Sequence, residues 1–303
     1  MLLCPVMWFV ALGHVGRCYR AVPGVVAHVA DVLWFHGRIG GERLKRVDTA
    51  RSEDATGDGA DQIRGDRQTQ CDVLVALAEC RNHRKWFAAF AQPYLGEHPI
   101  EIGSGLGDYA LEWIPAVEKF TATDADPALC GELKKVMSGY PNVTVRQLLL
   151  PTDDRGDHSC LVCYQVLEHI EDHVGALRSM ARLVRPEGYI VLACPAFPIA
   201  MSPVDVATGH VRRDTKRTMT QALTDAGLEV VLVRYANSLG LLCYYAFTSL
   251  LKKQPSSGGT MSFYDRLVVP VVRMLEHAIG DRPPFGQSVV AVARVREEGD
   301  RAD

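Results

Sequence analysis

Residues 100–108 read Ile-Glu-Ile-Gly-Ser-Gly-Leu-Gly-Asp: an apolar lead-in, an acid at Glu101, and glycines at 103, 105 and 107. That order suits a strand that turns and then opens a helix. Glycine lacks a Cβ and tolerates strained φ/ψ, so the main chain at Gly103 and Gly105 can approach a ligand closely. The unpaired N–H groups of the following helix would point at the same place. Dinucleotide enzymes use a related turn, Gly-x-Gly-x-x-Gly, whose third glycine lets helix and strand pack closely. Here the third glycine is Gly107, Asp108 fills the dinucleotide position, and Glu101 interrupts a strand that is ordinarily apolar there. With a second acid downstream, Asp124, the pattern favours a different cofactor, and a nicotinamide-dependent oxidoreductase is kept as an alternative.

Two histidines have chemistry suited to proton transfer near neutral pH, His169 and His210. His169 follows a strand-like run and can equally hold the turn there. His210 falls in a less regular stretch, nearer the expected substrate mouth. Arg212 and Arg213, with Lys216 and Arg217, precede a helical segment, where cations oppose the macrodipole. A ligand or ion pair is therefore favoured, and Arg212 and Arg213 are candidates for an acidic substrate group. Cys160-x-x-Cys163 lies in a strand with no second pair at zinc spacing, so no metal is expected.

The elements that must position these residues emerge from the chain as a whole. Its 303 residues carry a formal net charge of -3 and are 48% hydrophobic, which suits a globular enzyme and argues against a nucleic-acid binder. Nine scattered cysteines, an odd number, fit a reducing cytosol better than a disulfide framework. Residues 2–12 are apolar but too short to span a bilayer, so weak membrane contact is the most they suggest. Residues 1–47 form an extension without a readable role. Residues 48–70 contain Ile63 as their one large apolar residue and read as a flexible linker. Helical periodicity returns over 71–95 and stops near Pro93. Strands then alternate with helices: 99–102, 119–123, 143–150, 160–165 and 189–194, with helices over 107–115, 127–139 and 172–184 between them. Thr218 with Gln221 resembles a capping box opening a helix that Gly227 closes, and strands follow at 229–235 and 288–295. This alternation predicts an α/β, doubly wound, mostly parallel sheet. In such sheets ligands sit beyond the carboxyl ends of the strands, which places Glu101, Asp124 and Gln165 on one edge.

Glu101-Ile-Gly-Ser-Gly-Leu-Gly107, the strand ending in Asp124, Val166-Leu-Glu-His-Ile170 and Gly209-His-Val-Arg-Arg213 together resemble class I S-adenosylmethionine-dependent methyltransferases, over roughly residues 80–295. The resemblance implies a Rossmann-like, seven-stranded sheet with an antiparallel last strand and S-adenosyl-L-methionine as cofactor. It implies that Gly103, Ser104 and Gly105 pass close to the methionine part and that Glu101 neutralises its ammonium end. It implies further that Asp124 accepts both ribose hydroxyls, Ala125 lies beside the adenosine, and the Gln165 main chain meets the amino group. The pattern departs from the family at Leu148–Leu150, where an acid commonly contacts adenine, and at Gln165, where Asn is common. The expectation is a methyltransferase domain over 71–298, with substrate-side insertions at about 196–217 and 239–280. It would act on a small-molecule or lipid-like acceptor in the cytoplasm. A cofactor-binding but inactive protein is the second alternative.

Overall fold

Short runs of Val, Ile, Leu, Ala and Cys, closed by Gly, Pro or Asp, become the strands of a single sheet in the computed structural model, which describes residues 65–245 and 259–297. The expectations for 1–47, for most of 48–70 and for residues 246–258 of the 239–280 insertion lie outside the described residues. The strands are β1 Ile100–Ile102, β2 Phe120–Asp124, β3 Val143–Gln147, β4 His158–Tyr164, β5 Val184–Pro195, β6 Glu229–Ala236 and β7 Ser288–Arg294. They lie in the order β3-β2-β1-β4-β5-β7-β6. Every pairing is parallel except those of β7, which runs antiparallel to both β5 and β6. The chain winds outward from β1 toward β3 and then resumes at β4 on the other side, so the switch point lies between β1 and β4. This is the doubly wound, mostly parallel seven-stranded sheet with an antiparallel last strand that the resemblance implies.

Helices cover both faces. They are α1 Arg67–Ala78, α2 Arg81–Ala91, α3 Ala110–Trp113, α4 Pro127–Met137, α5 His173–Leu183, α6 Pro203–Thr208, α7 Lys216–Asp225, α8 Ser238–Tyr245, α9 Gly259–Phe263 and α10 Val269–Ala278. Alternate strand residues point to opposite faces. Ile100, Ile102, Leu161 and Cys163 join α5 and α7 in one core cluster. Cys160, Val162 and Tyr164 join α2, α3, α4 and α10 in the other. Central β1 is buried on both faces, so Glu101 between its two isoleucines is forced inside. Full burial of each isoleucine contributes about 1.5–3 kcal/mol, which holds the strand in place despite the carboxyl it carries inward.

Four local expectations are corrected. Helix α1 starts inside the stretch read as linker, because Asp66 accepts the Thr69 N–H at 2.8 Å and Gln70 reaches Thr208 O at 2.9 Å. The periodic stretch 71–95 is broken at Glu79-Cys80 into α1 and α2. The irregular stretch after β5 contains α6, opened by a Ser202–Asp205 capping box. The cap of α7 is Thr215 with Thr218 as its partner, three residues earlier than the Thr218–Gln221 reading.

Candidate functional site

The turn after β1 is built by three glycines with different duties. Gly103, Gly105 and Gly107 have φ of 71°, 54° and 84°, a region that L side chains rarely adopt. A Cβ on Gly103 would sit 2.3 Å from Val166 Cγ2, and one on Gly107 would sit 2.4 Å from Met137 Cε. Those two glycines seat the turn against β4's exit and against α4. A Cβ on Gly105 would meet only Leu74 Cδ2 of α1, at 3.7 Å, so this is the glycine that leaves room beside the main chain.

Asp124, buried at the end of β2, fastens the turn. Its Oδ2 accepts the Gly105 N–H at 2.9 Å and its Oδ1 accepts the Asp126 N–H at 2.9 Å. An ionised carboxylate is acceptor-only, the type of group that takes hydroxyl donors. Ser104 ties the loop to β2 through Thr123, accepting its N–H on Oγ at 3.2 Å and donating its own N–H to Thr123 O at 2.7 Å. Ala125 O accepts from the Gln147 side chain at 2.9 Å, and Asp126 caps α4 through Ala128 N. Asp108, which fills the dinucleotide third-glycine position, lies 3.6 Å from Arg84.

Glu101 is 3% exposed, and its Oε2 has no hydrogen-bond partner. Burial pushes its carboxyl up to about 8, against a hydrogen bond with Ser104 and with a further upward contribution from the Asp108 and Asp124 charges. A buried carboxyl with one unpartnered oxygen, beside a glycine turn and a second carboxylate, is suited to a cationic ligand group, which would restore its charge.

On the same carboxyl edge, three non-glycine residues hold positive φ: Gln165 at 56° directly after β4, Asn237 at 65° directly after β6, and Phe197 at 65° two residues beyond β5. Strained backbone of this kind persists where surroundings over-determine it and clusters at functional sites. Gln165 donates its N–H to Ala193 O at 2.8 Å, which holds the turn that leads to a 3-10 segment over Leu167–His169.

Beyond that turn the two candidate histidines meet. The rings of His169 and His210 lie 4.7 Å apart, edge to face. Burial, with the neighbouring His210 charge, brings His169 down to about 4. Glu168 is fully buried, and burial raises it to about 7 while the His210 charge opposes the rise. His210 Nδ1 contacts Asp205 Oδ1 at 3.0 Å. Asp205 is the hub of this region, which the sequence reading missed. It also takes Arg213 Nη2 at 2.8 Å, Ser202 N at 2.7 Å and the Tyr244 hydroxyl at 3.0 Å. Burial pushes the Asp205 carboxyl up, but hydrogen bonds from His210 and Arg213 outweigh it and hold the group well below the usual range. The signal available was Ser202-Pro-Val-Asp205, a capping-box pattern that places Asp205 at the start of a helix.

The two arginines read as substrate ligands have their donors engaged within the fold. Arg213, 5% exposed, grips Asp205 with two nitrogens and Ala196 O at 3.1 Å. Arg212 donates to the carbonyls of Leu167 at 2.9 Å and Glu171 at 2.7 Å, and also to Ile170 O. Arg212 therefore braces the 167–171 turn, and Arg213 the segment after β5. The reason is burial: a guanidinium taken out of water needs its donors satisfied, and carbonyls at an irregular turn need donors.

A family model described as a methyltransferase domain matches residues 79–233. A Mycolicibacterium smegmatis protein described as "Probable S-adenosylmethionine-dependent methyltransferase" is 25% identical over 225 residues, 72% of this chain and 79% of that one. A Mycobacterium tuberculosis protein with the same description is 29% identical over 153 residues, 48% of this chain and 54% of that one, so the match spans about half of that relative. Among solved structures, a geranyl diphosphate methyltransferase in complex with SAM is similar at a TM-score of 0.51 and 15% identity, over 73% of this chain and 89% of that one. At such identity the likeness concerns the fold.

Proposed function

The chain belongs to the methyltransferase domain family and is an S-adenosylmethionine-dependent methyltransferase; from that premise we propose that it methylates a small-molecule or lipid-like acceptor seated beyond the ends of β4 and β5. The observation that carries the cofactor side is Glu101, a buried carboxyl with an unpartnered oxygen beside an open glycine. When bound, S-adenosylmethionine supplies an electrophilic methyl group on a sulfonium. Glu101 would hold the ammonium end, Gly103, Ser104 and Gly105 the main-chain side of the methionine, and Asp124 the ribose hydroxyls. Ala125 would lie beside the adenosine and Gln165 at the methionine end. The oxidoreductase alternative is not favoured, since Gly107 packs against α4 and Asp108 is paired with Arg84.

Rate enhancement in such a site comes mainly from holding the acceptor nucleophile in line with the methyl group. Segments 196–217 and 239–280 are read as the acceptor side of a domain that starts at Asp66 and runs to about residue 298. Within them α9 and α10 expose Phe263, Met274 and Leu275 at 57%, 64% and 50%, which supports the lipid-like end of the acceptor range. Among the described residues no helix is long and apolar enough to cross a membrane.

Calorimetry tests the cofactor reading: S-adenosylmethionine or its demethylated product should bind and raise the melting temperature, and Gly105→Val should abolish the shift. Absence of binding to the unmodified chain would overturn it. Mass spectrometry of cell extracts incubated with the protein and isotope-labelled cofactor identifies the acceptor.

A further inference from the structure

Glu168 is the most demanding side chain in the molecule that the cofactor reading leaves unused. It is 0% exposed, and neither Oε1 nor Oε2 has a hydrogen-bond partner. Leaving a buried polar group unmet costs about 1–3 kcal/mol, more if it is charged. Two imidazoles face it. His210 Nε2 lies 4.0 Å from Glu168 Oε1, and ligand atoms of Glu168, His169 and His210 all lie within 4.8 Å of one another. Among the described residues this is the one set of three or more His, Cys, Asp or Glu side chains so arranged.

Each ring is also oriented from behind. His210 gives its Nδ1 side to Asp205 Oδ1 at 3.0 Å, which in the neutral ring leaves the Nε2 lone pair toward Glu168. Asp205 is in turn fixed by Arg213, Ser202 and Tyr244. His169 is hydrogen-bonded to the Gly209 backbone, which leaves its second nitrogen for a ligand. An imidazole held on one nitrogen by a carboxylate or a backbone group, with the other presented to a shared point, is the arrangement that orients metal-ligating histidines.

We propose that Glu168, His169 and His210 form a binding site for a divalent first-row transition ion, at the edge of the pocket beyond β4. Two imidazoles and one carboxylate, with no thiolate, suit zinc, iron, manganese, cobalt or nickel rather than magnesium or calcium. Metal–ligand distances of about 2.0–2.2 Å require the three side chains to draw together by roughly an ångström, a shift that the two half-buried histidines can make on the ion's side. Three protein ligands leave further coordination positions open. Val166, two residues before Glu168, packs on Gly103, so the turn that carries Glu168 and His169 abuts the proposed cofactor turn. The ion would bind an oxygen of the acceptor, a hydroxyl or carboxylate, and fix it for transfer. That last role rests on the methyltransferase reading, and the binding of the ion does not.

The test is a Co2+ titration of the tag-free full chain, followed by visible d–d absorption, with S-adenosylmethionine calorimetry on the same samples. One Co2+ per chain is expected. Glu168→Gln and His210→Gln should each weaken it by at least about tenfold while cofactor binding, which also reports folding, persists. His169→Asn serves as a third variant should Glu168→Gln fail to fold. Absence of saturable absorption, or equal affinity in all folded variants, overturns the site. Cobalt binding without cofactor binding would support the site and count against the methyltransferase reading instead.

Discussion

At the scale of single residues, Glu101 would set the behaviour of the proposed cofactor pocket. Its folded value near 8 against an ordinary 4.5 means the native chain keeps a proton that the unfolded chain has released. The unfolded state therefore binds fewer protons over that interval, and the ligand-free fold loses stability as pH rises from about 4.5 to about 8. A cationic ligand reverses the preference, so cofactor binding below pH 8 should release close to one proton. Calorimetry in buffers of different ionisation enthalpy reads this directly, and uptake or no exchange at pH 6.5 would show that Glu101 does not meet the cation. Glu101→Gln removes the charge while keeping the shape. The ligand-free protein should melt no lower, while affinity falls by about 1.5–3 kcal/mol, tenfold or more.

At the scale of elements, most of the frame was legible and its seams were not. Glycine, proline and aspartate mark the ends of apolar runs, so the strands from 100 to 294 fall within a few residues of their predicted spans, β5 excepted. β5 begins at Val184, where the reading began it at 189, because Arg185-Pro-Glu-Gly188 has no apolar pattern yet continues the strand. Only the start of α1, residues 67–70, reads as linker, because it is polar, and its anchoring comes from Thr208 and Ala207, residues far along the chain. For the same reason the adjacency of 168–169 with 210 was invisible: a one-dimensional pattern does not record which turns the sheet brings side by side. One seam gives a sharp test. Helix α2 starts at Arg81 with no side-chain cap of its own, and the carboxylate of Asp265, from the π turn between α9 and α10, accepts Asn82 N at 3.0 Å and His83 N at 2.8 Å. This is an N-cap supplied from across the fold. Asp265→Ala should lower stability by about 1–3 kcal/mol, seen as a lower urea midpoint with unchanged slope. An unchanged midpoint would mean that α2 does not need the distant cap.

At the scale of the whole molecule, the packing around the candidate site extends beyond the matched family region. The match begins at residue 79, yet α1 ends at Ala78 and lies against the site on two sides. Its Leu74 stands over Gly105, and its start is bound to the end of α6 by Asp66 N to Ala207 O at 2.6 Å and Gln70 to Thr208 O at 2.9 Å. Helix α6 carries Asp205, which organises His210, Arg213 and Tyr244. The one helix thus bridges the glycine turn and α6, the proposed cofactor and acceptor sides. Excluding water there strengthens the interactions of Glu101 and Asp124 with a charged ligand. A chain beginning at Gly65 should therefore bind S-adenosylmethionine as the full-length chain does. A chain beginning at Arg81 keeps the sheet and both core clusters, so it should fold, but it loses the cover over Gly105 and should bind the cofactor several-fold more weakly. Circular dichroism on both truncations separates folding from binding. If the shorter one is folded and binds with full affinity, α1 is an appendage and the pocket ends where the family match begins.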